Sequence, residues 1–200
     1  MLSVFAHSKD AYVVVFDNGS DPPIENDGSD DDRWLGILWG IGAFEAIRRS
    51  PEVNATEGLT GTWNAGLWWC ESRGCDRVVL LNHDTVVDES WPRYLECLTE
   101  RDGPVGPTTN KTGTIYQVTP EQKEGFGEFS EVNGFCFGAS MNVFRKNMFD
   151  DRHYFDPAFP FGGNENEWCR RWRKKGGKSY VAYDTFVFHH KAAEWRKIKS

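Results

Sequence analysis

Val78-Val79-Leu80-Leu81 is an unbroken apolar run, and it breaks at Asn82-His83-Asp84 before Thr85-Val86-Val87. Apolar residues at every position fit a strand covered on both faces, as in a parallel sheet between helices. Ala11-Tyr12-Val13-Val14-Val15-Phe16 repeats the pattern and runs into Asp17-Asn18-Gly19, where Asn-Gly and then Pro22-Pro23 signal a turn. Residues 33–49 place Trp34, Leu35, Leu38, Ile41, Phe44 and Ile47 near helical spacing, which predicts a helix stopped by Pro51. Thr62 predicts the cap of a second helix, with Trp63, Leu67 and Cys70 on one face and Gly74 at its end. Asn64 and Gly66 near that start suit the approach of a phosphate-bearing ligand to a helix N-terminus.

Farther along, 89–98 predicts a short helix, 104–107 and 114–118 strands, and 121–130 a connection. Residues 132–140 form an extended run holding Gly134 and Gly138, and glycine inside a strand often marks close approach to a ligand. A short helix is expected over 142–148. The turn-rich aromatic loop 155–163 leads into Asn164-Glu165-Asn166-Glu167-Trp168, which opens a helix to about Lys175, ended by Gly176-Gly177. Residues 178–183 give the last strand signal, followed by Phe186-Val187-Phe188-His189-His190. The pattern predicts one α/β domain over 1–200, its mixed, mostly parallel sheet covered by helices on both faces.

Composition sharpens this picture. The chain has 200 residues, enough for one domain with a real core, and 39% hydrophobic residues argue against disorder throughout. A formal net charge of -7 argues against a general nucleic-acid binder. Seven acids and no Lys or Arg lie between Asp17 and Asp32, and six bases between Arg170 and Lys178; solvated faces are the simplest account of both. Five scattered Cys fit neither a disulfide framework nor a zinc site, so reduced thiols in a cytoplasmic setting are expected. No stretch approaches the length of a membrane span, and the N-terminus shows no secretory pattern.

The candidate chemistry collects at predicted strand ends, where open α/β sheets bind ligands. Asp84 is placed to hold Mn²⁺ or Mg²⁺ carrying a diphosphate, because hard cations prefer oxygen ligands. A strand followed by a polar turn is the plainer alternative. Asp17 fits either a hydrogen bond to a base or ribose or an Asx-turn of its own.

Four segments then stand in order: Val14-Val15-Phe16-Asp17-Asn18-Gly19-Ser20, the Asn64-x-Gly66 helix, Leu80-Leu81-Asn82-His83-Asp84-Thr85, and residues 162–171 with a His after them. Together they resemble the inverting family-2 glycosyltransferases of the GT-A (Rossmann-like) fold, especially rhamnosyltransferase-like members, over residues 11–190. The resemblance implies that Asp17 and Asn18 contact the nucleotide. It implies that Asn82 and Asp84 stand for the family's Asp-x-Asp, with Asp84 on the metal. Glu165 would be the general base, Arg171 the Arg downstream, and His189, ahead of His190, the late His near the diphosphate and a metal ligand. A divalent ion offsets charge on the leaving nucleoside diphosphate while a carboxylate takes the proton of the attacking acceptor hydroxyl. The loop 155–161 with Trp168 would form the groove for a glycan or glycoprotein acceptor.

This chain departs from the family at Asn82 and Asn164, which stand where acids are usual, and it has only ten residues before Ala11 where the family has a strand and a helix. Either 1–6 pairs differently or that edge is missing. A non-catalytic nucleotide-sugar or glycan-binding module of the same fold is the alternative function. Simple helix capping is the alternative for Glu165 and Glu167, and an ordinary structural role that for His189 and His190. A nucleotidyltransferase would want a Gly-rich, basic loop after the first strand, and none is present. Most of the nine Trp are expected in the core, with Trp168 and Trp34 as the exceptions.

Overall fold

The computed structural model describes residues 12–17, 44–118 and 124–190. Strand β1 (Val13–Asp17) pairs in parallel with β2 (Phe44–Arg48) as a two-stranded sheet. Residues 44–48 were expected to end a helix; the alternation Phe44-Glu45-Ala46 and the glycines before it favour extended backbone instead.

Helix α1 (Pro51–Ser72) starts eleven residues before the expected cap at Thr62. The Ser50 hydroxyl accepts the Val53 N–H at 3.3 Å, and Pro51 occupies the first turn, where its missing N–H costs nothing. Pro51 therefore opens a helix rather than stopping one. The helix is broken at Gly58 (φ 57°), where the Pro160 carbonyl comes in to accept the Thr60 N–H at 3.2 Å. Asn64 consequently lies in mid-helix, not at an N-terminus.

A larger sheet carries β3 (Arg77–Leu81), β4 (Thr85–Val87), β5 (Val105–Thr108), β6 (Phe126–Phe129), β7 (Cys136–Ser140) and β8 (Ser179–His189). Its order is β3-β7-β5-β8-β4, with β6 also on β8. Only β5 and β8 run parallel; β7 opposes both β3 and β5, and β4 and β6 oppose β8. The expectation of a mostly parallel sheet is thereby corrected to a mixed sheet in which antiparallel pairing dominates. An apolar run reports that both faces are covered, and it carries no information about strand direction.

Both faces are indeed covered. Val78 and Leu80 of β3 face one core with Trp63 and Leu67 of α1, Phe144 of helix α4 (Met141–Lys146), and Trp168 and Trp172 of helix α5 (Asn164–Lys174). Val79 and Leu81 face the other core with Trp91, Tyr94 and Leu98 of helix α2 (Trp91–Glu100). The strand period of two sends alternate side chains to opposite layers. Residues 115–118 form a short helix, α3 (Ile115–Val118), not a strand. The buried Gln117 side chain bonds the Pro107 carbonyl and the Asn133 N–H, so this turn is fixed by side-chain bonds in place of a ladder. The expected connection 121–130 contains β6, and the last strand continues six residues beyond 183.

Candidate active site

The run 78–87 is two strands, and Asn82-His83-Asp84 is the turn between them. The Asn82 N–H donates to the Phe135 carbonyl at 2.9 Å, and the Thr85 hydroxyl to the Asn82 carbonyl at 2.6 Å. Antiparallel pairing of β4 with β8 puts Thr85 opposite His189. Asp84 and His189 therefore meet at one sheet end although they lie 105 positions apart in the sequence.

Both side chains are buried, and Asp84 Oδ2 lies 3.5 Å from His189 Nε2. That is long for a hydrogen bond. Asp84 Oδ1 is buried with no partner in the protein, an arrangement costly for a carboxylate left to itself. His189 Nδ1 lies 3.0 Å from the Lys111 carbonyl, which only accepts, so Nδ1 carries a proton and Nε2 is the ring nitrogen turned toward Asp84. Asn110 grips the His189 backbone from both sides, accepting its N–H at 2.7 Å and donating to its carbonyl at 3.2 Å. The Phe135 ring stacks on the imidazole at 4.9 Å. The imidazole beside Asp84 holds its carboxyl below the ordinary value, against the opposing effect of burial. An orphaned carboxylate oxygen and an imidazole whose Nε2 is turned toward that carboxylate fit a divalent cation, which takes the lone pair of a neutral ring. Among the described residues no third His, Cys, Asp or Glu joins them. Two protein ligands match an ion bound largely through substrate phosphates and water.

Next to Phe135 lies Gly134, and Glu165 packs there. A Cβ on Gly134 would sit 2.7 Å from the Trp63 ring and 3.2 Å from the Glu165 carboxyl carbon. The extended run 132–140 does need its glycines for close approach, but protein side chains make that approach: Trp63 and Glu165 at Gly134, Leu98 and Tyr94 at Gly138. Glu165 is partly buried near the start of α5. Burial raises its carboxyl above the ordinary value, outweighing hydrogen bonds from its own N–H and that of Gly134, and the Glu131 charge adds to the rise. The dipole of α5 favours the ionised form, but desolvation decides the direction.

Glu167 is committed elsewhere. It is buried, and both its oxygens accept from Arg171 Nε at 2.8 Å. Arg171 also bonds the Asn147 and Tyr154 carbonyls, so the pair ties α5 to two loops. Asn64 is likewise committed to structure: its Oδ1 accepts the Tyr154 and Phe155 N–H groups at 2.9 and 2.8 Å, and its Nδ2 donates to the Phe155 carbonyl at 3.0 Å. No polar capacity is left pointing to a nucleotide from that side-chain oxygen, and its place is that of a loop anchor. Asp17 closes β1 opposite Arg48, and Asn18 lies outside the described residues. His190 is exposed against Phe188, with its N–H on the Asp84 carbonyl at 2.9 Å.

The expected acceptor groove changes in membership. Trp168 and Phe155 are fully buried, packed on each other and on Phe137 and Phe144, so neither lines a groove. Trp34 lies outside the described residues. A hollow of about 430 Å³ opens instead beside the start of α5, lined by Phe159, Gly163, Asn166, Glu131 and Arg170. A larger one, about 570 Å³, lies at the far end of β3 around Asp76 and Arg77, away from Asp84. The sequence reading missed Asn110, Lys111 and the role of Phe135, and singled out Gly134 without its partners. The Asn133-Gly134 pair was visible; what it touches was not.

No protein-family model matches the sequence, and no curated protein matches it. Among solved structures, the crystal structure of GalNAc-T7 with UDP, GalNAc and Mn²⁺ superposes with a TM-score of 0.66 at 15% identity. The match covers 94% of this chain. The fold is that of a GT-A glycosyltransferase. This GT-A chain spans 39% of the length of GalNAc-T7. The comparison supports the GT-A fold and goes no further toward a family-2 or rhamnosyltransferase-like assignment. Among the described residues of this GT-A domain, no helix is long and apolar enough to cross a membrane.

Proposed function

We propose that this chain is a metal-dependent glycosyltransferase that moves a sugar from a nucleotide-diphosphate donor to an acceptor hydroxyl with inversion, on the pattern of family 2. The observation that carries this reading is the buried Asp84 carboxylate, its Oδ1 without a partner and its Oδ2 3.5 Å from His189 Nε2. A GT-A fold solved with UDP and Mn²⁺ in GalNAc-T7 supports the donor class and Mn²⁺ in particular; Mg²⁺ is the other ion of the same chemistry.

Asp84 and His189 would hold the ion, with Asn82 beside them at the donor. Asp17 and Asn18 would meet the nucleotide. Bound there, the ion neutralises charge on the departing diphosphate. Glu165 takes the proton from the acceptor hydroxyl as that oxygen attacks the anomeric carbon. Gly134 and Phe135 are consecutive and touch Glu165 and His189 respectively, so one stretch of backbone spaces the base from the metal pair. The hollow lined by Phe159 receives a glycan or glycoprotein acceptor. Five unpaired thiols support a reducing, cytoplasmic setting.

Thermal shift against UDP-, GDP- and dTDP-sugars, with and without Mn²⁺, tests the donor class, since a ligand of the native state raises stability by mass action. NMR of the product's anomeric centre then tests the stereochemistry. Retention of configuration would remove Glu165 from the role of base. Asn82 and Asn164, in places usual for acids, favour a second reading as a non-catalytic binding module. Mn²⁺-dependent donor binding with neither transfer nor hydrolysis would select it.

A further inference from the structure

Two of the five cysteines, remote from the candidate site, meet at the end of α1. The helix closes as a Schellman motif. The Cys75 N–H donates to the Cys70 carbonyl at 3.0 Å and the Gly74 N–H to the Glu71 carbonyl at 3.0 Å, with Gly74 left-handed at φ 70°. In this motif the side chains of the two outer residues frequently come into contact. Here both are Cys, and both are partly buried against the same core. The backbone bond limits their Cα separation. The Cα-to-oxygen reach, the 3.0 Å contact and the N–Cα bond sum to no more than about 7 Å, and bending at each atom brings the value inside the span of a disulfide.

We infer that Cys70 and Cys75 are a redox-active pair, which a low-molecular-weight disulfide such as oxidised glutathione closes into an intramolecular disulfide across the end of α1. One protein thiolate attacks the small disulfide and releases one small thiolate. The second protein sulfur then attacks the mixed disulfide, the Sγ–Sγ bond forms, and the other small thiol leaves. Two protein S–H bonds are lost, two protons pass to the released thiols, and the small disulfide takes two electrons. The bridge staples the end of α1 to the start of β3, whose far end leads into Asp84. Burial, then the neighbouring Cys75, pushes the Cys70 thiol up to about 12, so closure quickens as pH rises. Cys97, Cys136 and Cys169 are buried and stay outside the exchange.

The test incubates the whole chain with oxidised glutathione at pH 8.5, then blocks free thiols and maps peptides by mass spectrometry. The expected result is three alkylated cysteines, a loss of two hydrogens in mass, a linked peptide joining Cys70 to Cys75, and a Tm raised by ~5 °C that dithiothreitol reverses. Cys75→Ser should stop at a glutathione adduct on Cys70 or show none. Five alkylated cysteines, adducts without closure in the parent chain, or a bridge to any other cysteine would overturn the assignment. The mapping uses the parent protein and does not depend on the variant folding.

Discussion

Gly134→Ala puts the proposed arrangement under the most direct strain. The new methyl would lie 2.7 Å from the Trp63 ring, about 0.7 Å short of the 3.4 Å where ordinary contact begins, and 3.2 Å from the Glu165 carboxyl carbon. Trp63 is buried in the core with Phe155, its ring centroid 5.1 Å away, so it cannot simply swing aside. Overpacking of this kind costs about 1–3 kcal/mol, a fall in Tm of roughly 3–10 °C for a chain of this size. Glu165 must also give by a few tenths of an ångström; misplacement of a reacting group by about 1 Å lowers rates by ~100-fold, so a fall in kcat of roughly 2- to 5-fold is expected. Asp84 and His189 are held by β4, β8 and Asn110, so Mn²⁺-dependent donor affinity should stay within about 3-fold of the parent. The assay pairs calorimetric donor titration with initial rates at saturating donor. A variant with the parent's kcat would refute the claim that Gly134 seats the base. Equal losses of donor affinity and rate would mean that the segment shifts as a whole.

Other outcomes follow from the same geometry. Asp84→Asn should abolish Mn²⁺-dependent donor binding by calorimetry while leaving the far-UV circular dichroism unchanged, and His189→Ala should weaken that binding more than His190→Ala. Glu165→Gln should keep donor affinity and lower the transfer rate by ~100-fold or more. A base works only when ionised, and the Glu165 carboxyl is raised by burial. The acid limb of the kcat/KM profile should therefore fall at a pH above the ordinary glutamate value of 4.5, and a limb at or below it would contradict the assignment. Glu167→Gln should act on stability, because it breaks a buried pair with Arg171: a Tm lower by ~5 °C or more in a thermal melt, with kcat changed far less than in Glu165→Gln.

Local chemistry made several features legible. The apolar run through Leu81 and the polar break at Asn82-His83-Asp84 located a strand end, because periodicity and turn residues act within a few neighbours. The acids at the start of α5 and Gly176-Gly177 beyond its end located that helix for the same reason. Asp84 and His189 each followed an apolar run, and the family resemblance alone put both on one metal. The tertiary structure shows how they meet: the antiparallel register of β4 on β8 brings them together, and register depends on contacts across the whole chain. Strand direction was likewise hidden, since burial on both faces leaves the same apolar signature whichever way a neighbour runs. Glu165 and Glu167 looked alike in sequence, two acids in the first turn of one helix. Arg171, one helical turn after Glu167, and Gly134, on a distant strand, gave them different environments. Trp168 was read as a groove residue and is core, because the face of α5 that carries it packs on Phe137, Phe144 and Phe155. A side chain's chemistry can be read from its identity, but its partners, and with them its charge state and its task, come from residues that the fold brings beside it.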